Sequence, residues 1–326
     1  MIICRTPYRI SFFGGGSDYP VHYRQHGGAV LATSIDKYCY VTCRYLPPFF
    51  EHKNRIVYGK IESTKSIQDI QHPVVRECLR FMDVENGVEI HHDSDIPARA
   101  GMGTSSSFTV GLLHSLYALQ GRRASKRGLA LNAIYLEQVV MKENVGSQDQ
   151  VTAAYGGFNK ITFDEKHEFQ TEPITAQSIW KTLPDYLMLF FTGFSRTASE
   201  IAGEQIKKTP ENKGLLIRMT EMVDEAIDIL YGDDILEFGR LMHKSWQIKR
   251  NLTSKITNDQ IDHIYNTAIK AGAIGGKLLG AGGGGFMLFF VEPEKQKKVK
   301  EALKDYLQVP FRFEDQGSQI IYYTKE

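Results

Sequence analysis

The period of the apolar positions changes several times along the chain, and each change marks an element. Residues 8–13, 30–46, 55–62 and 87–92 are rich in Tyr, Val, Ile and Phe and are bounded by Gly, Pro or Asp, which predicts strands. From Phe108 the residues Leu112, Leu113, Leu116 and Leu119 recur at helical spacing, predicting a helix that opens near Thr104 and ends at Gly121. A further helix is predicted over 129–142, broken by Gly146, and two short strands over 158–173. Beyond Pro184 a strand at 186–191 leads into helical periodicity at 197–208, 212–231, 233–249 and 258–271. Strands return at 285–291 and 318–323, separated by a charged helix over 292–307. The pattern divides the chain into a strand-rich N-terminal domain, residues 1–183, and a mixed C-terminal domain, residues 184–326, each able to bury its own core.

Charge narrows the partners. The 326 residues carry 39 Lys and Arg against 38 Asp and Glu, a formal charge of +1, so there is no global attraction to nucleic acid or to an anionic membrane. The longest apolar runs, Leu187 to Phe191 and Phe286 to Val291, fall far short of the roughly 20 residues that span a bilayer and read as buried strands. With Arg5 and Arg9 in the first segment and no apolar leader, a cytoplasmic protein is expected. The cysteines Cys4, Cys39, Cys43 and Cys78 are too irregularly spaced for a disulfide framework and are expected to pack as small apolar groups.

Three glycine-rich segments and an acidic pair carry the candidate chemistry. In "IPARAGMGTSSSFTVGLL", a predicted strand and Pro97 lead into Gly101 and Gly103 and then into hydroxyl residues at the mouth of a helix. Glycines let the backbone approach an anion, and the first N–H groups of a helix lack internal partners, which suits a phosphate. A tight turn with redundant caps explains the same residues. No Gly-Lys-Ser/Thr follows and the third glycine of a dinucleotide fingerprint is missing, so neither a Walker A loop nor a dinucleotide oxidoreductase is favoured. The segment "RISFFGGGSDY" runs a strand into Gly14, Gly15, Gly16 and Asp18, and Gly280 to Gly285 sit between apolar stretches in "AGAIGGKLLGAGGGGFMLFF", where a structured turn is expected. Ser147 and Gln150 form a capping-box signature, which places Asp149 in the first turn of a helix, ionised and able to accept from a substrate hydroxyl. The alternative is an Asp that only stabilises its helix.

In this order the segments resemble the GHMP kinase superfamily, named for galactokinase, homoserine kinase, mevalonate kinase and phosphomevalonate kinase, over nearly the whole chain. Its Pro-x-x-x-Gly-Leu-Gly-Ser-Ser motif appears as Pro97, Gly101, Met102, Gly103, Thr104 and Ser105, and its glycine turn as Gly280 to Gly285. The resemblance implies an α+β fold of two domains, an N-terminal ribosomal-protein-like α/β domain and a C-terminal ferredoxin-like α+β domain, with the active site in the cleft between them. It implies ATP held by the backbone of residues 101–106, including Ser106, and magnesium on Ser105 and Glu137. Asp149 matches the catalytic base and Arg9 the arginine beside it, while Asp18 matches a ligand of sugar hydroxyls. Galactokinase has Glu-His where this chain has Gly15 and Gly16, which leaves room for a larger or differently oriented sugar.

The segments "TPYRISFFGGGSDYP", "GMGTSSSFTVGLL", "GSQDQVTAAYGG" and "TGFSRTASEI" are most similar to bacterial D-glycero-D-manno-heptose 7-phosphate kinases, which phosphorylate the anomeric hydroxyl to give the 1,7-bisphosphate. The acceptor side is then expected to include Gly15, Gly16, Asp18, Gly283, Gly284 and a cation for the acceptor's phosphate, Arg196, with Lys37, Arg44 and Arg99 as competitors. The alternatives are a kinase for fucose, an N-acetylhexosamine or galactose, and a nucleotide-binding regulator without catalysis. A small-molecule sugar phosphate is the implied partner, and a homodimer is left open.

Overall fold

The computed structural model describes residues 1–164, 166, 169–193 and 198–324. The first part of the chain runs through β1 (Ile2–Phe13), α1 (Pro20–His26), β2 (Gly28–Tyr45), β3 (Asn54–Val57), β4 (Ile61–Thr64), α2 (Pro73–Phe81), β5 (Val88–Ser94), α3 (Thr104–Leu119), α4 (Lys126–Tyr135), α5 (Gln148–Tyr155), β6 (Phe158–Phe163) and β7 (Phe169–Pro173). The second part adds α6 (Gln177–Lys181), β8 (Leu187–Phe191), α7 (Ala198–Lys208), α8 (Lys213–Tyr231), α9 (Leu236–Lys249), α10 (Asp259–Ala271), β9 (Gly275–Leu278), β10 (Phe286–Phe290), α11 (Pro293–Ala302), β11 (Leu307–Gln308), β12 (Phe313–Glu314) and β13 (Gln319–Tyr323).

Two sheets result. In the larger, the strands run β13-β1-β2-β5-β3-β4, with β6 and β12 also paired to β2 and β7 paired to β6. The long β2 makes this possible, because Gly28 to Thr33 pair with β6 and Cys39 to Tyr45 pair with β5. The smaller sheet runs β11-β8-β10-β9, all antiparallel. The predicted strand at 55–62 is a hairpin, β3 turning into β4 around Tyr58 to Lys60. The last two strands cross back: β13 pairs with β1 and β12 with β2. The larger sheet, expected to belong to residues 1–183 alone, therefore also takes in the end of the chain, which covers β1 and its otherwise unpaired row of backbone groups.

The apolar run of β10 has no polar alternation because both of its faces are buried. Phe286, Leu288 and Phe290 join the main core, while Met287 and Phe289 join a second core around Trp246 and Tyr265. Phe12 and Phe13 of β1 lie 5.5 and 5.2 Å from Phe238 of α9, so apolar packing runs unbroken from one sheet to the other. All four cysteines are buried in the main apolar core. Among the described residues no helix is long and apolar enough to cross a membrane.

Candidate active site

A cleft of about 1080 Å³ lies where the two sheets meet. One wall is the loop of residues 97–103 and the mouth of α3. Gly101 and Gly103 take positive φ angles of 79° and 73°, which turns the chain sharply and brings backbone to the cleft surface. Arg99 also has a positive φ, 60°, and its N–H donates to the Thr104 hydroxyl at 3.1 Å. Gly101, Gly103, Thr104, Ser105 and Ser106 all line the cleft; Met102 is buried behind them, and Pro97 is exposed in the approach to the turn.

The glycine turn between β9 and β10 is built to lock against this loop. A Cβ on Gly280 would lie 2.5 Å from the Gly101 Cα, and one on Gly285 would lie 2.3 Å from the Ala100 carbonyl oxygen. The turn's cleft-facing residues are Gly280 and Ala281. The expectation that Gly283 and Gly284 touch substrate is not met: both are buried behind the cleft, where the Gly283 N–H donates to the Ile256 carbonyl at 2.9 Å. With positive φ along the run, the turn curls inward toward Ile256 rather than outward.

Asp149 and Arg9, 140 residues apart, meet in the lining of the cleft. Arg9 donates through Nε to Oδ1 at 2.7 Å and through Nη2 to Oδ2 at 2.9 Å, and its Nη1 donates to the Gly101 carbonyl at 2.7 Å. This two-pronged pair fixes the carboxylate's orientation. A Cβ on Gly103 would lie 3.4 Å from the Asp149 carboxylate, so the acid abuts the phosphate-type loop. Asp149 lies in the first turn of α5 as expected, but the capping box is not made. Ser147 has helical backbone angles, φ −102° and ψ −5°, and its hydroxyl accepts from Gln138 at 3.0 Å, while the Gln150 amide donates to Glu137.

Glu137 was expected on a regular helix over 129–142. Instead α4 passes into a π-helical turn, Leu136–Val140, and the wider turn carries Glu137 inward until it is 1% exposed. Its carboxylate accepts from Ser106 at 2.8 Å, Thr109 at 2.6 Å and Gln150. Burial pushes its carboxyl up to about 7 against these three donors. The serine on Glu137 is thus Ser106; Ser105 points to the exposed rim. Among the described residues no group of three or more His, Cys, Asp or Glu could cage a metal. One carboxylate and nearby hydroxyls instead fit magnesium that arrives on phosphate oxygens and keeps water ligands.

Asp18 is buried in the same cleft, accepting from the Gly16 N–H at 2.9 Å and the Gln148 N–H at 3.3 Å. Burial is the main cause that raises its carboxyl, and the Asp149 charge adds to it. Gly146 is required here, since a Cβ would sit 1.9 Å from the Asp18 Oδ2. Of the proposed phosphate cations, Arg99 lines the cleft at its exposed mouth, Lys37 is paired with Asp36 and Arg44 with Glu89 away from the cleft, and Arg196 lies outside the described residues.

The sequence reading missed two parts of the cleft. Tyr58, His72, His92 and Phe108 cluster at one end, with ring centroids 4.7 Å apart for Tyr58–His72 and 4.5 Å for His92–Phe108. Lys249 and Lys277 line another part of it, beside the Gly280 turn and β1. Burial lowers both ammonium groups, Lys249 to about 8 and Lys277 well below its ordinary value. No local motif announces either cluster, because each is assembled from distant elements.

The comparisons with known proteins agree with this geometry. The N-terminal domain of the GHMP kinases matches residues 70–157 and their C-terminal domain matches residues 215–309. A D-glycero-alpha-D-manno-heptose 7-phosphate kinase of Campylobacter jejuni is 28% identical over 324 residues, with 92% of each chain covered. A crystal structure of a D-glycero-D-manno-heptose 1-phosphate kinase from Bacteroides thetaiotaomicron superposes with a TM-score of 0.79 at 24% identity, covering 100% of both chains. A putative sugar kinase from Campylobacter jejuni superposes with a TM-score of 0.70 at 25% identity, covering 98% of both. With both domains matched and a carboxylate set against a glycine-rich loop in the cleft that joins them, the chain belongs to the GHMP kinases.

Proposed function

We propose that this kinase transfers the γ-phosphoryl group of ATP to the anomeric hydroxyl of D-glycero-D-manno-heptose 7-phosphate, giving the 1,7-bisphosphate and ADP. The observation that carries the reading is the Asp149 carboxylate, gripped by Arg9 and abutting the loop at Gly103. The loop of residues 101–106 and the mouth of α3 offer free N–H groups and a favourable dipole to the triphosphate. The aromatic end, with the ring nitrogens His72 Nδ1 and His92 Nε2 buried and without hydrogen-bond partners, suits a nucleobase that stacks and hydrogen-bonds.

Phosphoryl transfer has a loose transition state, so alignment and charge neutralisation do most of the work. Asp149 orients the acceptor hydroxyl and takes its proton as the new P–O bond forms. Arg9 keeps that carboxylate in place and adds positive charge beside the transferring group. Magnesium arriving on the triphosphate would supply further charge neutralisation; Glu137, with Ser106 hydrogen-bonded to it and Ser105 at the cleft rim, would hold it from the protein side.

The test is turnover of a panel: the heptose phosphate, the free heptose, fucose, galactose and an N-acetylhexosamine, each with ATP, read as ADP release and as the product's phosphorus NMR spectrum. The heptose phosphate is expected to give the largest kcat/KM. Asp149→Asn is expected to lower kcat at least about 100-fold while ATP affinity holds. A clear preference for an unphosphorylated sugar refutes the assignment.

A further inference from the structure

The acceptor end of the cleft holds four buried polar groups whose hydrogen bonding is incomplete. Lys277, 2% exposed, donates to the Ser11 and Phe12 carbonyls at 2.8 and 2.7 Å. Lys249, 6% exposed, donates to the Leu278 and Gly280 carbonyls at 3.1 and 2.6 Å. An ammonium has three donors, so each keeps one N–H for something else, and among the described residues neither has a carboxylate within ion-pair distance. A buried cation without an ion-pair partner is destabilising. Beside them, the Ser11 hydroxyl and the Gln148 Oε1 are buried with no hydrogen-bond partner.

Gly15 lies beside the last two, Ser11 and Gln148, and lines the same cleft as the lysines. Its neighbours Gly14 and Gly16 have positive φ values of 79° and 104°, but Gly15 does not need a glycine's backbone freedom. A Cβ there would stand 3.6 Å from the Ser11 Oγ and 3.8 Å from the Gln148 Nε2, both ordinary contacts. What the missing side chain does is leave the space between Ser11 and Gln148 open.

Resting on the reading above, we propose that this recess seats the acceptor, with Lys249 and Lys277 binding the acceptor's own phosphate and the bare Gly15 leaving room for its polyol chain. The spare donors complement the opposite character of the ligand. Two N–H groups and a cationic environment call for phosphate oxygens, while Gln148 Oε1 accepts only from a donor such as a sugar hydroxyl. Arg9 is already committed to Asp149 and Gly101. The two lysines are therefore the uncommitted cations at the buried end of the cleft, and they lie close enough that the charge of Lys249 adds to burial in lowering Lys277. Asp18 faces the same cleft and is left for a hydroxyl.

The experiment compares heptose 7-phosphate with the dephosphorylated heptose in wild type, Lys249→Met, Lys277→Met and Gly15→Val. Each lysine variant is expected to raise KM for the phosphorylated sugar about 10- to 100-fold, with KM for ATP and for the free heptose nearly unchanged. Lys249→Arg keeps the charge and is expected to recover part of the loss. Heptose 7-phosphate alone, without ATP, is expected to raise the melting temperature of wild type and not of the lysine variants. Gly15→Val is expected to melt with wild type and bind ATP normally, yet lose acceptor binding; it carries the test if a lysine variant fails to fold. Equal losses for phosphorylated and free heptose, or a Gly15→Val enzyme with wild-type acceptor KM, overturn the inference while leaving the kinase assignment intact. A wild type that prefers an unphosphorylated sugar overturns both.

Discussion

The interlock between the glycine turn and the phosphate-type loop gives a sharp prediction for Gly280→Ala. The new Cβ would start 2.5 Å from the Gly101 Cα and 2.9 Å from its oxygen, whereas ordinary contacts begin at 3.4 Å. The turn and the loop must therefore part by about 0.9 Å, the difference between 3.4 and 2.5 Å. Two destabilising effects add. Holding alanine at a φ of +73° costs about 1–2 kcal/mol, and overpacking adds about 1–3 kcal/mol. The sum, about 2–5 kcal/mol, corresponds for a chain of 326 residues to a melting temperature lower by about 3 to 7 °C. A shift near 1 Å in a positioned catalytic loop lowers the rate about 100-fold, so kcat/KM for ATP is expected to fall by that order. Gly121→Ala is the control, because Gly121 has a φ of +67° with nothing within 4 Å of its Cβ. It isolates the backbone effect and is expected to lower the melting temperature by only about 1 to 3 °C, with normal kinetics. Scanning calorimetry and steady-state kinetics on both variants decide the matter. If Gly280→Ala matches Gly121→Ala in melting and wild type in turnover, the two elements do not constrain one another.

Two acidic residues predict opposite pH behaviour. Burial holds Glu137 up at about 7 against an ordinary 4.5, so the folded apo protein binds this proton more tightly than the unfolded chain. The contribution is full below pH 4.5 and is lost as pH rises toward 7, by about 3 kcal/mol at most. Glu137→Gln should flatten this part of a plot of melting temperature against pH; an unchanged slope rejects the assignment. For Glu89, burial alone raises the carboxyl, but hydrogen bonds from His91 and Arg44 prevail and hold it down to about 2. Its stabilisation is present above pH 4.5 and lost as pH falls toward 2. Because Arg44 and Arg55 are about two-fifths exposed, Glu89→Gln should destabilise at pH 7 by only about 1–2 kcal/mol. Urea titrations at neutral and acid pH should show the difference closing; a constant difference counts against the ion pairs. Finally, His92→Ala should raise KM for ATP with little change in acceptor KM, and equal effects on both would remove the base from that end of the cleft.

Much of the fold was legible because its elements carry their own local pattern. The helical spacing of Phe108, Leu112 and Leu116 and the apolar run of β10 needed no partner to be recognised. The sharp turns at Gly101 and Gly103 were legible because the backbone conformations they require are properties of glycine itself, while Arg9, Asp18 and Asp149 were singled out by the family resemblance, and the structure brings all five to one cleft. Other features depended on distant contacts. The register that sends β13 back to β1 joins residues more than 300 positions apart, Ile2 with Tyr323. The π turn at Glu137 answers to Ser106, Thr109 and Gln150. That same pull on Gln150 removes the capping box its spacing suggested.

The chain's own chemistry thus determined which residues can hold phosphate, bend sharply or carry a charge, since those capacities follow from side chain and backbone alone. Tertiary structure decided which of them do so together. Gly283 and Gly284 share a motif with Gly280, yet only packing shows that they turn away from the cleft while Gly280 meets Gly101. Lys249 and Lys277 look in sequence like any other lysines, and become functional candidates only because folding buries them along the cleft with hydrogen bonds to backbone carbonyls that leave a donor spare on each. Burial, distance and counter-charge are relations between residues, and only the folded chain brings those residues together.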